Sequence, residues 1–205
     1  GAPGAGLAVE GEVLLGAAQG LEDFPGYAFG RYDQPFSAQM NSLDAAETDE
    51  AGKAVVPVYL PEVEDSYRPL EAKVTVRVSE GSGRPVERSI TKTLTPAAKM
   101  IGVKPMFDWV VAEGSEARFQ LIAVDSDLKQ SAMEVSWQVV RVEYDYQWYQ
   151  SYGNWSWEPI VTRTPVAEGD AKLGADPVEI AAKLDWGNYE LIVQETGGGK
   201  AVTST

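Results

Sequence analysis

Residues 144–157 read Tyr-Asp-Tyr-Gln-Trp-Tyr-Gln-Ser-Tyr-Gly-Asn-Trp-Ser-Trp, and this stretch decides the fold. Side chains alternate between the two faces of a strand, so Tyr144, Tyr146 and Trp148 share one face. Gly and Asn tolerate the positive φ of tight turns, so a turn is predicted at Tyr152-Gly153-Asn154. The next strand alternates again, with Trp155, Trp157 and Pro159 on one face and Ser156 and Glu158 on the other. The stretch therefore predicts an aromatic hairpin, which we place at the centre of a β domain.

The rest of the chain repeats the pattern of short alternating strands. Turn residues recur about every ten positions, a spacing typical of antiparallel sandwiches. The clearest strand is 70–80, where Val74, Val76 and Val78 alternate with polar residues. Glu168-Gly169-Asp170 is predicted to be a turn. Strands are predicted at 7–15, 27–32, 36–43, 54–60, 70–80, 86–94, 100–106, 117–124, 133–144, 160–166, 178–184, 189–194 and 201–202.

No long segment has helical periodicity, so the predicted fold is all-β, with two tandem antiparallel β-sandwich domains of the macroglobulin or fibronectin-III type. The boundary is placed at Thr95-Pro96-Ala97-Ala98, because all six tryptophans lie beyond it. This gives domains at residues 1–97 and 98–205. The Gly- and Ala-rich opening, residues 1–6, reads as a linker or a cloning remnant of a fragment cut from something longer.

The charge and composition exclude several function classes. A net charge of −14 argues against binding to nucleic acid or to an anionic membrane surface. The sequence has no Cys and no His, which removes disulfides, thiolate sites and the commonest general base. No apolar run approaches the ~20 residues that cross a bilayer. The serines lack a His partner, so we predict no enzymatic activity, no catalytic residue and no cofactor.

Two acidic loops are candidates for calcium. Asp125, Asp127 and the nearby Glu134 form the first, but they lack the regular ligand spacing of an EF-hand. The second contains Asp44, Glu47, Asp49 and Glu50. Solvated turns are the preferred interpretation of both loops, so no metal site is predicted.

Several motifs resemble those of the bacterial alpha-2-macroglobulin family. They are Tyr144-Asp145-Tyr146-Gln147-Trp148-Tyr149, Gly153-Asn154-Trp155, Trp157-Glu158-Pro159, Ile101-Gly102-Val103-Lys104-Pro105-Met106-Phe107, Asp185-Trp186-Gly187-Asn188-Tyr189, Arg68-Pro69-Leu70-Glu71-Ala72 and Gly83-Arg84-Pro85-Val86. The resemblance spans nearly the whole chain and implies two consecutive macroglobulin domains of a larger protease inhibitor. Such a pair would scaffold the protease trap without its own bait segment. It would also lack the thioester, which needs a Cys.

The resemblance also implies the partners and the location. The implied partners are neighbouring domains of the parent chain and, through the parent, target proteases. Bacterial members are typically periplasmic and often lipid-anchored, so a periplasmic location is expected, with no membrane contact by this segment.

The aromatic hairpin leaves a second function open. Exposed Trp and Tyr rings can stack on sugars, so the chain could be a carbohydrate-binding or adhesive module instead. Tyr149, Tyr152 and Trp155 are the candidate interaction surface. The competing interpretation is a packed face with a domain–domain contact, because one face of a sandwich sheet must be core.

Overall fold

The computed structural model describes residues 4–63, 66–80, 83–108 and 110–205. All strand pairs in these ranges are antiparallel, and the ranges contain no helix, so none that could cross a membrane. The predicted all-β class is confirmed. The strands are β1 (Ala8–Ala17), β2 (Ala28–Phe29), β3 (Gln39–Ser42), β4 (Ala46–Glu47), β5 (Leu70–Ser79), β6 (Val86–Leu94), β7 (Lys99–Pro105), β8 (Glu116–Asp125), β9 (Met133–Ser151), β10 (Asn154–Leu173), β11 (Val178–Lys183), β12 (Asn188–Glu195) and β13 (Val202–Ser204).

The first compact unit comprises Gly1–Gln19 and Pro35–Pro96. Its described strands form one sheet in the order β3-β1-β5-β6, with β4 also paired to β1. Alternation within β1 and β5 buries Val13 and Leu15 beside Leu70 and Ala72. Phe36, Leu43, Val63, Val74 and Leu94 pack against this core.

The second unit comprises Gly20–Gln34 and Ala97–Thr205. Its described strands form two sheets, ordered β10-β9-β12-β13 and β11-β8-β7-β2. Buried apolar side chains come from both sheets, which is how an antiparallel domain without helices builds its core. They include Met100, Ile101, Val103, Leu121, Ile122 and Val124 on one sheet and Val135, Val139, Leu191 and Val193 on the other.

Residues 20–34 fold with the second unit, which differs from the continuous first domain predicted at 1–97. Leu21 and Phe29 join Met100, Ile122 and Val124 in one core cluster. β2 pairs with β7, and the carbonyl of Gly30 accepts a hydrogen bond from Thr203 Oγ1 at 3.0 Å. The chain therefore passes between the units after Gln19, after Gln34 and after Pro96.

Two predicted local features are wrong. Residues 54–60 form no strand, because their alternation does not mark a core face: Val55 is 93% exposed and Tyr59 70% exposed. Residues 168–170 form no turn and continue β10 instead. Gly169 lies opposite Trp137, and the indole ring occupies the space where a side chain at 169 would stand. The absence of a side chain at Gly169 lets the Trp137 ring lie close to the β10 backbone within the strand.

Candidate functional site

The predicted hairpin forms as a long two-stranded projection from the second unit. β12 pairs with β9 only up to the Asn188–Val142 pair, whereas β9 and β10 stay paired to the tip. We call residues 143–162 the aromatic ribbon. The prediction that these residues lie at the centre of a domain is wrong, because most of their aromatic side chains are exposed.

Two loop residues, Tyr152 and Gly153, close the ribbon. Ser151 pairs with Asn154, and both loop residues have positive φ, 49° at Tyr152 and 83° at Gly153. Two consecutive positive φ values define the type I′ turn, whose twist suits a two-residue hairpin. Asn154 lies in β10, so the turn is one residue shorter than the predicted stretch.

The register places five aromatic residues on one face of the ribbon, as the sequence alternation predicts. Directly opposed residues of an antiparallel pair share a face, and Trp148 lies opposite Trp157. The rings of Tyr146 and Trp157 meet edge to face, with centroids 5.2 Å apart. The aromatic face comprises Tyr144, Tyr146, Trp148, Trp155 and Trp157, each between 54% and 68% exposed.

The opposite face of the ribbon is polar. It carries Asp145, Gln147, Tyr149, Ser156, Glu158 and Ile160. The ribbon therefore offers two different surfaces: one that can stack on apolar or planar groups, and one that accepts hydrogen bonds and attracts cations.

The three residues selected from the sequence do not share one surface. Tyr149 is 43% exposed on the polar face, and Trp155 is 68% exposed on the aromatic face. Tyr152 is fully exposed at the turn between them. Sequence reasoning omitted Trp148 and Trp157 from the candidate surface, although the alternation that it used already placed both with Trp155.

An ion pair between an exposed arginine and a buried glutamate lies where the ribbon joins the sheet. Arg163, next to the ribbon on β10, donates from Nε to Oε2 of Glu190 at 3.1 Å. The hydrogen bond to Glu190, with a further one to Tyr32, raises the pKa of Arg163. Glu190 is 2% exposed, and its Oε1 has no hydrogen-bond partner among the described residues. The pair ties β10 to β12 at the base of the ribbon.

The acidic loops use their carboxylates to hold turns. Oδ1 of Asp125 accepts the amides of Asp127 and Lys129, each at 3.0 Å, and Glu134 pairs with Lys172. Oδ1 of Asp49 accepts the amides of Ala51 and Lys53. Asp side chains commonly close loops in this way. Within the described residues, no three acidic side chains gather into a possible metal site.

The second unit also contains a pocket of about 600 Å³. Its walls are mostly apolar, and Phe107 and Phe119 meet edge to face there with centroids 5.3 Å apart. Glu113 and Asp185 are the acidic residues of the lining.

Family models match both halves of the chain. A model described as "Bacterial Alpha-2-macroglobulin MG5 domain" matches residues 1–96, and one described as "Bacterial macroglobulin domain 6" matches residues 102–205. Their limits fall close to the boundary between the units at Pro96.

Curated relatives are several times longer than this chain. An alpha-2-macroglobulin of Xylella fastidiosa (strain 9a5c) is 33% identical over 206 residues, which cover 94% of this chain and 12% of the relative. An alpha-2-macroglobulin of Escherichia coli (strain K12) is 24% identical over 220 residues, covering 95% and 13% respectively. The chain thus spans about an eighth of the length of the curated relatives it matches.

Solved structures share the fold over the whole chain. The native conformation of Escherichia coli alpha-2-macroglobulin superposes with a TM-score of 0.74 at 23% identity, covering 100% of this chain and 14% of that one. Salmonella alpha-2-macroglobulin reacted with methylamine gives a TM-score of 0.73 at 22% identity, covering 100% and 14%. Escherichia coli alpha-2-macroglobulin activated by porcine elastase gives 0.74 at 23%, covering 100% and 19%.

Proposed function

Because the chain belongs to the bacterial alpha-2-macroglobulin family, we propose that its two macroglobulin domains are a structural pair within a longer protease inhibitor. We call that longer chain the parent protein. The single observation that carries the proposal is the match of both halves, in order, to consecutive macroglobulin domains covering about an eighth of each relative. The printed description of one solved relative, activated by porcine elastase, supports the link to proteases.

The role of the pair is to scaffold the trap. The sequence contains no Cys, so this chain lacks a thioester of its own. The exposed side chains of the aromatic ribbon are mainly aromatic rings, amides and carboxylates, which bind and pack. We therefore infer a non-enzymatic segment whose partners are the neighbouring domains of the parent and, through the parent, target proteases.

The test compares the parent protein with this chain alone. Trypsin or elastase is incubated with each, and cleavage of a large protein substrate is measured. The parent is expected to reduce cleavage, and the isolated chain to leave it unchanged. Inhibition by the isolated chain would contradict a purely scaffolding role, and a parent without any inhibitory effect would contradict the whole proposal.

A periplasmic location is part of the proposal. Fractionation of bacteria that produce the parent protein is the direct measurement, with a cytoplasmic enzyme as the control for leakage. Recovery of the parent in the cytoplasmic fraction would contradict this location.

The exposed aromatic face favours one alternative, a carbohydrate-binding or adhesive module. Trp148, Trp155 and Trp157 present rings of the kind that stack on sugars. Retardation of this chain in polysaccharide gels would support the alternative, provided that Trp155→Ala abolishes it and Ile160→Ala on the polar face does not. Equal mobility with and without polysaccharide would reject it.

A further inference from the structure

The aromatic ribbon has two edges, and the structure leaves one of them open. Lower in the sheet, β12 pairs with β9 along one side and ends at the Asn188–Val142 pair. Above that pair, the described residues provide no strand on the side of β9 that faces away from β10. A strand edge without a neighbouring strand presents unpaired N–H and C=O groups that can pair with another segment.

The turn fixes which residues of β9 face this open edge. In a two-residue hairpin the Ser151–Asn154 pair exchanges hydrogen bonds, and bonded and non-bonded pairs then alternate down the ribbon. The residues of non-bonded pairs direct their N–H and C=O groups outward. On β9 these residues are Tyr144, Tyr146, Trp148 and Gln150.

A hydrogen bond at Tyr146 supports this assignment. The amide of Tyr146 donates to Oδ1 of Asp145 at 2.8 Å, so this N–H is not committed to β10. The Asp145 carboxylate thereby lies at the open edge. An incoming carbonyl can replace the carboxylate as acceptor, and the freed carboxylate can pair with a cation on the incoming segment.

Proline interrupts the other edge, along β10, once within the ribbon and once just below it. Pro159 lies opposite Tyr146 and Pro165 opposite Val140, and both pairs are of the non-bonded kind by the same alternation. A residue at each position would direct its N–H outward, but proline has none. Residues 143–151 of β9 contain no proline. Strand addition is therefore obstructed along β10 and permitted along β9.

The charge of the ribbon selects the occupant. Glu143, Asp145 and Glu158 are its charged residues, with no Lys or Arg between Val142 and Arg163. Arg141, just outside the ribbon, pairs with Glu143 at 3.4 Å, so Asp145 and Glu158 are the carboxylates left for an incoming cation. The whole chain carries a net charge of −14, which opposes pairing with a second copy. A segment that bears Lys or Arg gains from these carboxylates, and its cations can also lie over the exposed rings of Tyr144, Tyr146 and Trp148.

We propose that the β9 edge of the aromatic ribbon, residues 144–150, binds an extended Lys- or Arg-bearing segment from another domain of the parent protein by strand addition. The proposal rests on the proposed function, because the segment comes from the longer chain. Segments tethered in the same chain reach a high effective concentration, so a single short strand suffices for occupancy. Backbone hydrogen bonds supply the binding, and the acidic and aromatic side chains supply the selection.

Amide hydrogen exchange, resolved by residue, tests the proposal in the parent protein and in this chain alone. The outward amides of Tyr144, Trp148 and Gln150 are expected to exchange about tenfold more slowly, or slower still, in the parent. The outward amides of Trp155 and Trp157 on the β10 side serve as the internal control and are expected to stay equally fast in both. Equal rates for the β9 amides in the two proteins would overturn the proposal.

Two variants at position 146 of the parent protein separate the contribution of the backbone N–H from that of the aromatic ring. Tyr146→Pro removes the outward N–H, as proline already does at the opposed Pro159, and is expected to abolish the slowing at Trp148 and Gln150. Tyr146→Ala removes the ring but keeps the N–H, and is expected to retain most of the slowing. Slow amide exchange at Val139 and Leu191 verifies that each variant is folded. If a variant does not fold, the comparison of the wild-type parent protein with the isolated chain still decides the proposal. Equal slowing in both variants would contradict strand addition.

Protease inhibition, measured on the same parent preparation, separates this inference from the proposed function. If the parent protein inhibits proteases but its β9 amides exchange fast, the strand-addition site is rejected and the inhibitor role stands. Protected amides without inhibition would reject the inhibitor role and leave the site in place.

Discussion

Tyr152 occupies the first loop position of the ribbon with a φ of 49°, a conformation that costs a residue with a Cβ about 1 kcal/mol or more. Its fully exposed side chain recovers little of this cost through packing. At Gly102 the constraint is different, because the missing Cβ makes room for neighbouring side chains. These two residues show how single positions set the geometry of the ribbon and of the core.

Replacement of the strained loop residue is expected to stabilise the ribbon. Tyr152→Asn gives the Asn-Gly pair that type I′ turns prefer, so the inward amides of Gln147 and Tyr149 should exchange about fivefold more slowly. Tyr152→Ala is the matched control, since it removes the ring but keeps a Cβ at positive φ, and its rates should stay near wild type. Slowing by both variants would mean that the ring, rather than the backbone strain, destabilises the tip.

Addition of one methyl group at Gly102 is expected to destabilise the second unit. A Cβ there would stand 2.8 Å from Cγ1 of Ile122 and 2.9 Å from the Phe29 ring, both in the packed core. Gly102→Ala should therefore lower the free energy of unfolding by about 1–3 kcal/mol, measured by urea denaturation. Gly174→Ala is the control, because a Cβ at 174 meets nothing within 4 Å. A loss at Gly102 no larger than at Gly174 would show that the core relaxes around the added methyl.

At the scale of elements, alternation and turn chemistry predicted most strands. The predicted strand 86–94 coincides with β6, and the predicted turn near Gly153 closes the ribbon. The error at residues 168–170 has a physical cause, because Gly next to Asp signals a turn locally while the opposed Trp137 needs the glycine within a strand. Such a pairing depends on register, which distant residues determine.

The candidate site was predictable in its pattern but not in its exposure. Alternation placed Tyr144, Tyr146 and Trp148 on one face, as the register shows. The end of β12 at Asn188 decides that this face projects beyond the sheet, and nothing in residues 144–157 encodes where another strand ends.

The ribbon is expected to be dispensable for folding of the isolated chain. Replacement of residues 144–161 by Asn-Gly, joining Glu143 to Thr162, removes strand pairs made only within the ribbon. The melting temperature, followed by circular dichroism, should change by no more than about 3 °C. As a control, the variant Val139→Ala leaves a cavity in the buried core and should lower the melting temperature clearly. Loss of cooperative unfolding on ribbon removal would show that the projection supports the sheet below it.

At the scale of the whole molecule, the organisation is two units joined by three passages of the chain. The passage near Pro96 lies within the boundary placed at Thr95–Ala98 from composition, since the tryptophans begin beyond it. The passages near Gln19 and Gln34 lie in loops. The polar residues there do not indicate which unit the following segment joins. Residues 20–34 carry Leu21 and Phe29 into the second core, a contact across about a third to a half of the sequence.

A fragment of residues 98–205 is therefore expected to fold poorly. It lacks β2 and the Gly30 carbonyl that binds Thr203, and it leaves Met100 and Ile122 without two core partners. Residues 20–34 joined to 97–205 through a Gly-Ser linker should restore cooperative thermal unfolding. The control carries Leu21→Ser and Phe29→Ser in that segment and should not restore it. Equal stability of the two linked proteins would contradict a structural role for residues 20–34.

The interleaved connectivity has a consequence for how such genes can be recombined. A single DNA exchange near codon 96, between two related genes, would join the β2 segment of one gene product to the second core of the other. Leu21 and Phe29 would then contact side chains that evolved with a different β2 segment. Recombinants that swap the stretch encoding residues 1–205 avoid this mismatch. The two units are thus expected to be inherited as one cassette, although each has a family model of its own.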